Sequence, residues 1–276
     1  MRAGRIAHEG TIAIELHQIA EIFDARAARY AHDDWHRRYA EQLVAITPLR
    51  PGDRVLDAGT GTGFAACAIA RRIGPRGSVL AIDVSARMLQ EARVAISAAQ
   101  LPNVELLQGD ATDVRHLDQA SVEAVVCAAG LLYMPVAKAL REWARLLRTD
   151  GVVAFSTMKA GSPSAGRLFR ECAARFGLEL EDPSAALGTE ARCRQVLEDA
   201  GFTSVEVTPG RVDFESLDPT LAWEANVRAA DVKRLSGEQL DALREQFLGA
   251  LSRAMQEDLA ASARADVLYA IARRVD

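Results

Sequence analysis

The sequence predicts an α/β fold: a doubly wound, mostly parallel sheet of seven strands, with helices ahead of it and a helical insertion before the last strand. Three observations carry this expectation. From Arg54 onward, short apolar runs bounded by turn residues alternate with stretches of helical periodicity. The first run, within VLDAGTGTGF (55–64), passes directly into a glycine-dense loop and then a helical pattern. Strand, helix and strand at this spacing make βαβ units, whose sheets are parallel and covered on both faces.

Residues 11–47 read as helix. Ile12, Ile19, Ile22 and Phe23 share one face, and Tyr39, Leu43, Val44 and Ile46 suggest another further on. PLRPGD (48–53) breaks the pattern. The expected strands are 54–58, 78–83, 103–108, 122–128, 152–157, 202–207 and 267–275. Between them lie helices at 64–73, 86–99 and 137–148, and one running from Thr189 to Gly201. Ser85 and Thr189 suit N-caps, because a short side-chain oxygen can accept an unpaired amide of the first turn. Two more helices are expected within 218–260, the second opened by a capping box of Ser236 and Gln239. They would either pack on the sheet edge or cover a site. The expected organisation is a single domain. It comprises an N-terminal helical cover (1–47), a cofactor-binding core (48–215), a helical lid insertion (216–262) and the final strand (263–276).

Composition narrows the class. The chain has 276 residues, 49% hydrophobic and 26% charged, as in a soluble globular domain with a sizeable core. The net charge is -5 and no run of Lys or Arg stands out, which argues against a nucleic-acid partner. The charged start does not read as a signal peptide, and no stretch approaches the ~20 apolar residues of a membrane helix. Cys67, Cys127, Cys172 and Cys193 are scattered, without C-x-x-C spacing. A reducing cytoplasm is the expected compartment, with no metal site.

The glycine loop carries the chemistry. Gly59, Gly61 and Gly63 alternate, so the spacing is G-x-G-x-G; the dinucleotide fingerprint would need glycine where Phe64 stands. Asp57 precedes the loop, and a carboxylate at its mouth would repel a pyrophosphate and favour a cation. Asp83 ends the next strand, where an acid can accept hydrogen bonds from ribose hydroxyls. The expected ligand has a ribose, little or no phosphate, and positive charge. S-adenosylmethionine has those features.

In order along the chain stand VLDAGTGTGF (55–64), AIDVS (81–85), QGDATD (108–113), AAGLLYMP (128–135) and ALREWARLLRTDG (139–151). With these the chain resembles class I S-adenosylmethionine-dependent methyltransferases, which share a Rossmann-like sheet. The likeness is to the group related to ubiquinone and menaquinone biosynthesis enzymes and to natural-product methyltransferases. It spans roughly residues 20–210 and the closing strand. It implies that Gly59, Gly61 and Gly63 pass close to the methionyl part, with Asp57 supporting the loop or the amino group. Asp83 would hold the ribose, Val84 and Met88 would lie against the adenine, Asp110 and Ala111 would meet its edge, and Ala128 would neighbour the methionyl moiety. Val136 and Thr149-Asp150 depart from the Pro-Asp and Pro-Gly pairs frequent in the family, away from the ligand positions.

The substrate side is read from the N-terminal helices. HDDWH places His32 and His36 at i and i+4, with Tyr30 within a turn. The spacing can hold a metal, but no third ligand is evident; as a base, either imidazole suits a hydroxyl nucleophile. Tyr133 and Met134 read as pocket wall. CAAGLL (127–132) stands where nucleic-acid amino-methylating enzymes carry an Asn-Pro-Pro-Tyr type motif. The expectation is methylation of a small, fairly apolar molecule, natural-product-like or quinone-like, on oxygen; carbon is the alternative. Two rivals remain: a nicotinamide oxidoreductase, and a protein of the same fold and cofactor, such as a cyclase, that transfers no methyl.

Overall fold

A computed structural model describes residues 16–32, 34–214, 218–229 and 232–275. Ile12 lies outside them. The N-terminal stretch is not one continuous helix. It folds as α1 (Leu16–Asp24), α2 (Ala27–Tyr30) and α3 (Asp34–Ile46). The first break coincides with a tie to the sheet's second helix. The Asp24 carboxylate accepts hydrogen bonds from the Ser85 hydroxyl (2.6 Å) and the Arg87 amide (3.1 Å), at the start of the helix α5 (Ala86–Ala98). An acid at a helix N-terminus is favourable there, and it pins the end of α1 over the sheet.

The core then alternates as expected: β1 (Arg54–Ala58), α4 (Phe64–Ile73), β2 (Ser78–Asp83), α5, β3 (Val104–Gln108), β4 (Val122–Ala128), α6 (Val136–Leu146) and β5 (Leu147–Met158). After it come α7 (Ser164–Ala174), α8 (Glu190–Asp199), β6 (Phe202–Asp213), α9 (Pro219–Ala229), α10 (Gly237–Glu257), α11 (Leu259–Ser262) and β7 (Arg264–Arg274). The strand order is β3-β2-β1-β4-β5-β7-β6. Strands β1 to β5 pair in parallel, and β7 runs antiparallel to both neighbours. Chain order reverses at β1 and β4, so a crevice opens beyond their carboxyl ends, where such sheets bind ligands.

Alternation along β1 sorts the two core layers. Leu56 and Ala58 face the side of Trp143, Leu140 and Phe155; Val55 faces that of Leu43, Ile69 and Val126. Ser85 and Thr189 cap their helices, accepting the Met88 and Arg192 amides, and the Ser236–Gln239 capping box is formed. Strands β5, β6 and β7 outrun their apolar runs. The β6–β7 ladder extends from Phe202–Arg274 to Asp213–Arg264, because backbone pairing rather than side-chain apolarity sets its length. Sequence reading missed α7. Its Phe169 meets Trp223 of α9 and Phe247 of α10, with ring centroids 5.7 and 5.6 Å away. These rings centre a separate apolar cluster that joins the insertion to the core.

Candidate active site

A cavity of about 570 Å³ lies beyond the carboxyl ends of β1, β2 and β4. Its floor is the glycine loop, which turns through positive φ at Gly61 (+55°) and Gly63 (+85°), conformations costly for side-chain-bearing residues. Gly61 faces open space: a Cβ built there meets no atom within 4 Å. Gly63 serves packing, since a Cβ there would lie 3.1 Å from the Ala92 Cβ of α5. Gly59, Thr60, Gly61 and Thr62 line the cavity, whereas Gly63 lies behind it.

Four of the loop's amides are turned inward. Gly59 and Thr60 both donate to the Ile82 carbonyl (2.8 and 2.9 Å), Gly61 donates to Asp83 Oδ2 (2.8 Å), and Gly63 donates to the Thr60 carbonyl (3.0 Å). Phosphate-binding loops work by offering such amides to the anion. Here these four are already spent, so the loop is poorly suited to a pyrophosphate. The same exclusion is expected from an Asp57 carboxylate at the loop's mouth, and there the structure differs. Asp57 is fully buried beneath the loop rather than at its mouth. It accepts the Thr60 hydroxyl (2.6 Å) and braces the turn from below. Burial pushes its carboxyl up to about 7, against the Thr60 bond, so it is a weak source of negative charge.

Asp83 does line the cavity. Its Oδ2 takes the Gly61 amide and its Oδ1 the Ser85 amide (2.9 Å). Burial raises its pKa while those amides oppose the rise. Each oxygen keeps a lone pair for a further donor. Val84, Met88, Asp110, Ala111 and Ala128 line the same cavity. Asp110 folds one oxygen onto Thr112 (2.7 and 2.8 Å) and offers the other to Lys138 (3.2 Å). Open space before Gly61, an acceptor carboxylate at Asp83 and four loop amides already bonded within the protein together fit a ribose-bearing, phosphate-free ligand.

The opposite wall is aromatic. His36 lies between Tyr30 and Trp35, with centroids 3.7 and 3.5 Å away, and Phe214 meets Trp35 edge-on at 5.0 Å. Tyr133 meets Phe23 edge-on at 5.0 Å, and Met134 closes on Gly59, its Cε 3.2 Å from where a Cβ would stand. All of these side chains line the cavity. His32 lines it too but is exposed, with Nδ1 2.9 Å from the Ala28 carbonyl. It also precedes α3, so the two histidines do not share a helical face. Among the described residues, no three His, Cys, Asp or Glu side chains form a metal-binding group. Sequence reading missed Trp35 and Phe214, and also Gly166, Arg170, Asp182, Ser184 and Asn226, which line the far end. A signal for α7 existed: Pro163 precedes Phe169, Cys172 and Ala173 at helical spacing.

Comparison with known proteins agrees with this geometry. Residues 55–151 match a family model described as a methyltransferase domain. The chain is 30% identical to a demethylmenaquinone methyltransferase of Lactobacillus johnsonii, over 63% of this chain and 76% of that protein. It is 29% identical to an arsenite methyltransferase of Halobacterium salinarum, over 66% of this chain and 44% of that one. The [4+2]-cyclase SpnF shares the fold, with a TM-score of 0.60 at 17% identity, covering 97% of this chain and all (100%) of that one. With the loop, the strand order and these relatives together, the chain belongs to the class I S-adenosylmethionine-dependent methyltransferases, in the group related to the ubiquinone and menaquinone biosynthesis enzymes.

Proposed function

We propose that this methyltransferase acts on an oxygen of a small, fairly apolar molecule, quinone-like or natural-product-like. One observation carries the reading: a single cavity joins the Gly61–Asp83 floor to the aromatic wall of Tyr30, Trp35, His36 and Phe214. A flat apolar acceptor suits such a wall. Relatives named for demethylmenaquinone and for arsenite support a small acceptor.

In this reading Gly59 and Gly61 pass beside the methionyl part of S-adenosylmethionine, near Ala128. Asp83 accepts the ribose hydroxyls on its remaining lone pairs. Val84 and Met88 flank the adenine, and Asp110 and Ala111 meet its edge. Asp57 and Gly63 act from behind, shaping the loop. S-adenosylmethionine supplies an electrophilic methyl group on a sulfonium centre. The protein's part is to hold the acceptor oxygen in line and keep water away. His36 takes the hydroxyl proton; His32 is the second candidate. Tyr133 and Met134 wall the pocket. The chain works as one domain in which the 216–262 insertion closes over the acceptor.

Two measurements test this. S-adenosylhomocysteine should bind with micromolar affinity, about -8 kcal/mol, and NAD should not. A methyl-labelled donor incubated with a panel of phenols and hydroquinones should then yield an oxygen-bound methyl by NMR. A carbon-bound methyl overturns the oxygen assignment. Donor left intact with every acceptor favours the non-methylating reading.

A further inference from the structure

At the far end of the cavity, a guanidinium is held in place by a carboxylate whose own needs are largely met elsewhere. Asp182 Oδ1 accepts the Ser184 amide (2.9 Å) and hydroxyl (2.7 Å). Its Oδ2 accepts the Gly161 amide (2.9 Å) and Arg170 Nη2 (2.8 Å). Burial pushes the Asp182 carboxyl up, but the Ser184 and Gly161 donors and Arg170 outweigh it, so it stays ionised below the ordinary range. It therefore orients Arg170 without consuming it.

Arg170 makes no other hydrogen bond to a described residue. Its Nη1 stands beside Gly166, where an added Cβ would lie 3.5 Å from Nη1 and 3.6 Å from Asn226 Oδ1. Asn226 donates through Nδ2 to the Ala222 carbonyl (2.8 Å), which turns Oδ1 toward the same place. Gly166, Arg170 and Asn226 all line the cavity. Of the other acids lining the cavity, Asp34 pairs with Arg37 and Arg38, Asp110 with Lys138 and Thr112, Asp218 accepts the first amides of α9 on one oxygen, and Asp83 belongs to the floor.

We propose that Arg170 anchors a carboxylate on the acceptor, so that the substrate class is a small aromatic acid. A guanidinium presents paired N–H groups that match the two oxygens of a carboxylate, and a half-buried site strengthens the pairing. The aromatic wall takes the ring system, and Asn226 Oδ1 accepts a donor beside the acid group. The inference rests on the methyl-acceptor reading above, and it ties the insertion to substrate choice because Asn226 lies on α9.

The test titrates 4-phenylbenzoate and its neutral isostere 4-phenylbenzamide into protein saturated with S-adenosylhomocysteine. The acid should bind at least about 10-fold more tightly, as for a charge-assisted pair. Arg170→Met should erase the preference, Arg170→Lys should keep part of it, and affinity for S-adenosylhomocysteine should stay at the parent value. Gly166→Leu crowds Nη1 while leaving each ion pair intact, and should weaken the acid more than the amide. Equal binding of acid and amide by the parent, binding of neither, or a preference that survives Arg170→Met would overturn the assignment. Failure of S-adenosylhomocysteine to bind would count against the donor site alone; the same acid and amide pair, titrated without it, still decides the role of Arg170.

Discussion

On the floor of the cavity, the bonds that shape the cavity-facing loop are mostly donated by backbone amides of neighbouring turns. The Ile82 carbonyl takes two amides, Asp83 takes two more, and the residues concerned all come from β1, β2 and the turns that follow them. The wall opposite is held by side chains from distant segments. Trp35 of α3 meets Phe214 beyond β6, Phe169 of α7 meets Phe247 of α10, and Arg170 meets Asp182 across a loop. A backbone-held floor tolerates change in its surroundings and keeps one shape. A wall assembled from side chains can be refitted to a new acceptor by few substitutions. One fold can thus keep its methyl donor while its acceptors diverge.

The contrast can be broken experimentally. The largest effect expected is on the wall. His36→Ala should lower kcat about 10²- to 10⁴-fold in single-turnover assays, while S-adenosylhomocysteine affinity is unchanged. His32→Ala should stay near the parent rate. Two near-parent rates would remove both imidazoles from the chemistry and leave positioning alone.

Phe247→Ala probes the wall's support. Phe247 is fully buried, so truncation should cost about 3–5 kcal/mol, read as faster hydrogen exchange along α10. Donor affinity should hold. A matching loss of affinity would show that floor and wall unfold as one unit.

Beneath the floor, Asp57 makes stability depend on pH. Its folded pKa, about 7, lies above the ordinary 3.8, so the folded state favours the protonated form. Its contribution is complete below about pH 4 and is lost as pH rises through 7. Relative to the parent, Asp57→Asn should gain about 4 kcal/mol across that window, an order-of-magnitude figure from the size of the shift. Parallel stability curves from pH 4 to 8 would show that Asp57 ionises freely.

The smallest effect is expected at Asp83. Asp83→Ala removes the acceptor for the Gly61 amide together with the proposed ribose bonds. Donor affinity should fall by about 1.5–3 kcal/mol, measured by calorimetry. Unchanged affinity would place the ribose elsewhere.

Much of the floor was legible in the sequence. Glycine spacing, the strand-ending Asp83 and the caps Ser85, Thr189 and Ser236 are local signals, and each element they mark stands where periodicity placed it. The same locality explains the errors. Asp57 is expected at the mouth of the loop and Gly63 close to the methionyl part because both belong to the motif, yet which side of a turn faces a cavity depends on what lies behind it, here Thr60 and Ala92; of the two roles expected for Asp57, the loop support is the one its Thr60 bond makes. The break at Asp24 was hidden because its partner, Ser85, is remote in sequence. Helix α7 escapes the sequence pattern because Gly166 interrupts it, and what α7 packs against, Trp223 and Phe247, lies far along the chain.

By itself, then, the sequence determined the doubly wound sheet, the loop and the kind of donor it accommodates, because strand alternation, glycine conformation and capping act between near neighbours. Only the tertiary structure decided which loop groups face the cavity. It also set the aromatic sandwich around His36 and the pairing of Arg170 with Asp182. Those arrangements depend on contacts between residues far apart in the chain, which no local pattern records.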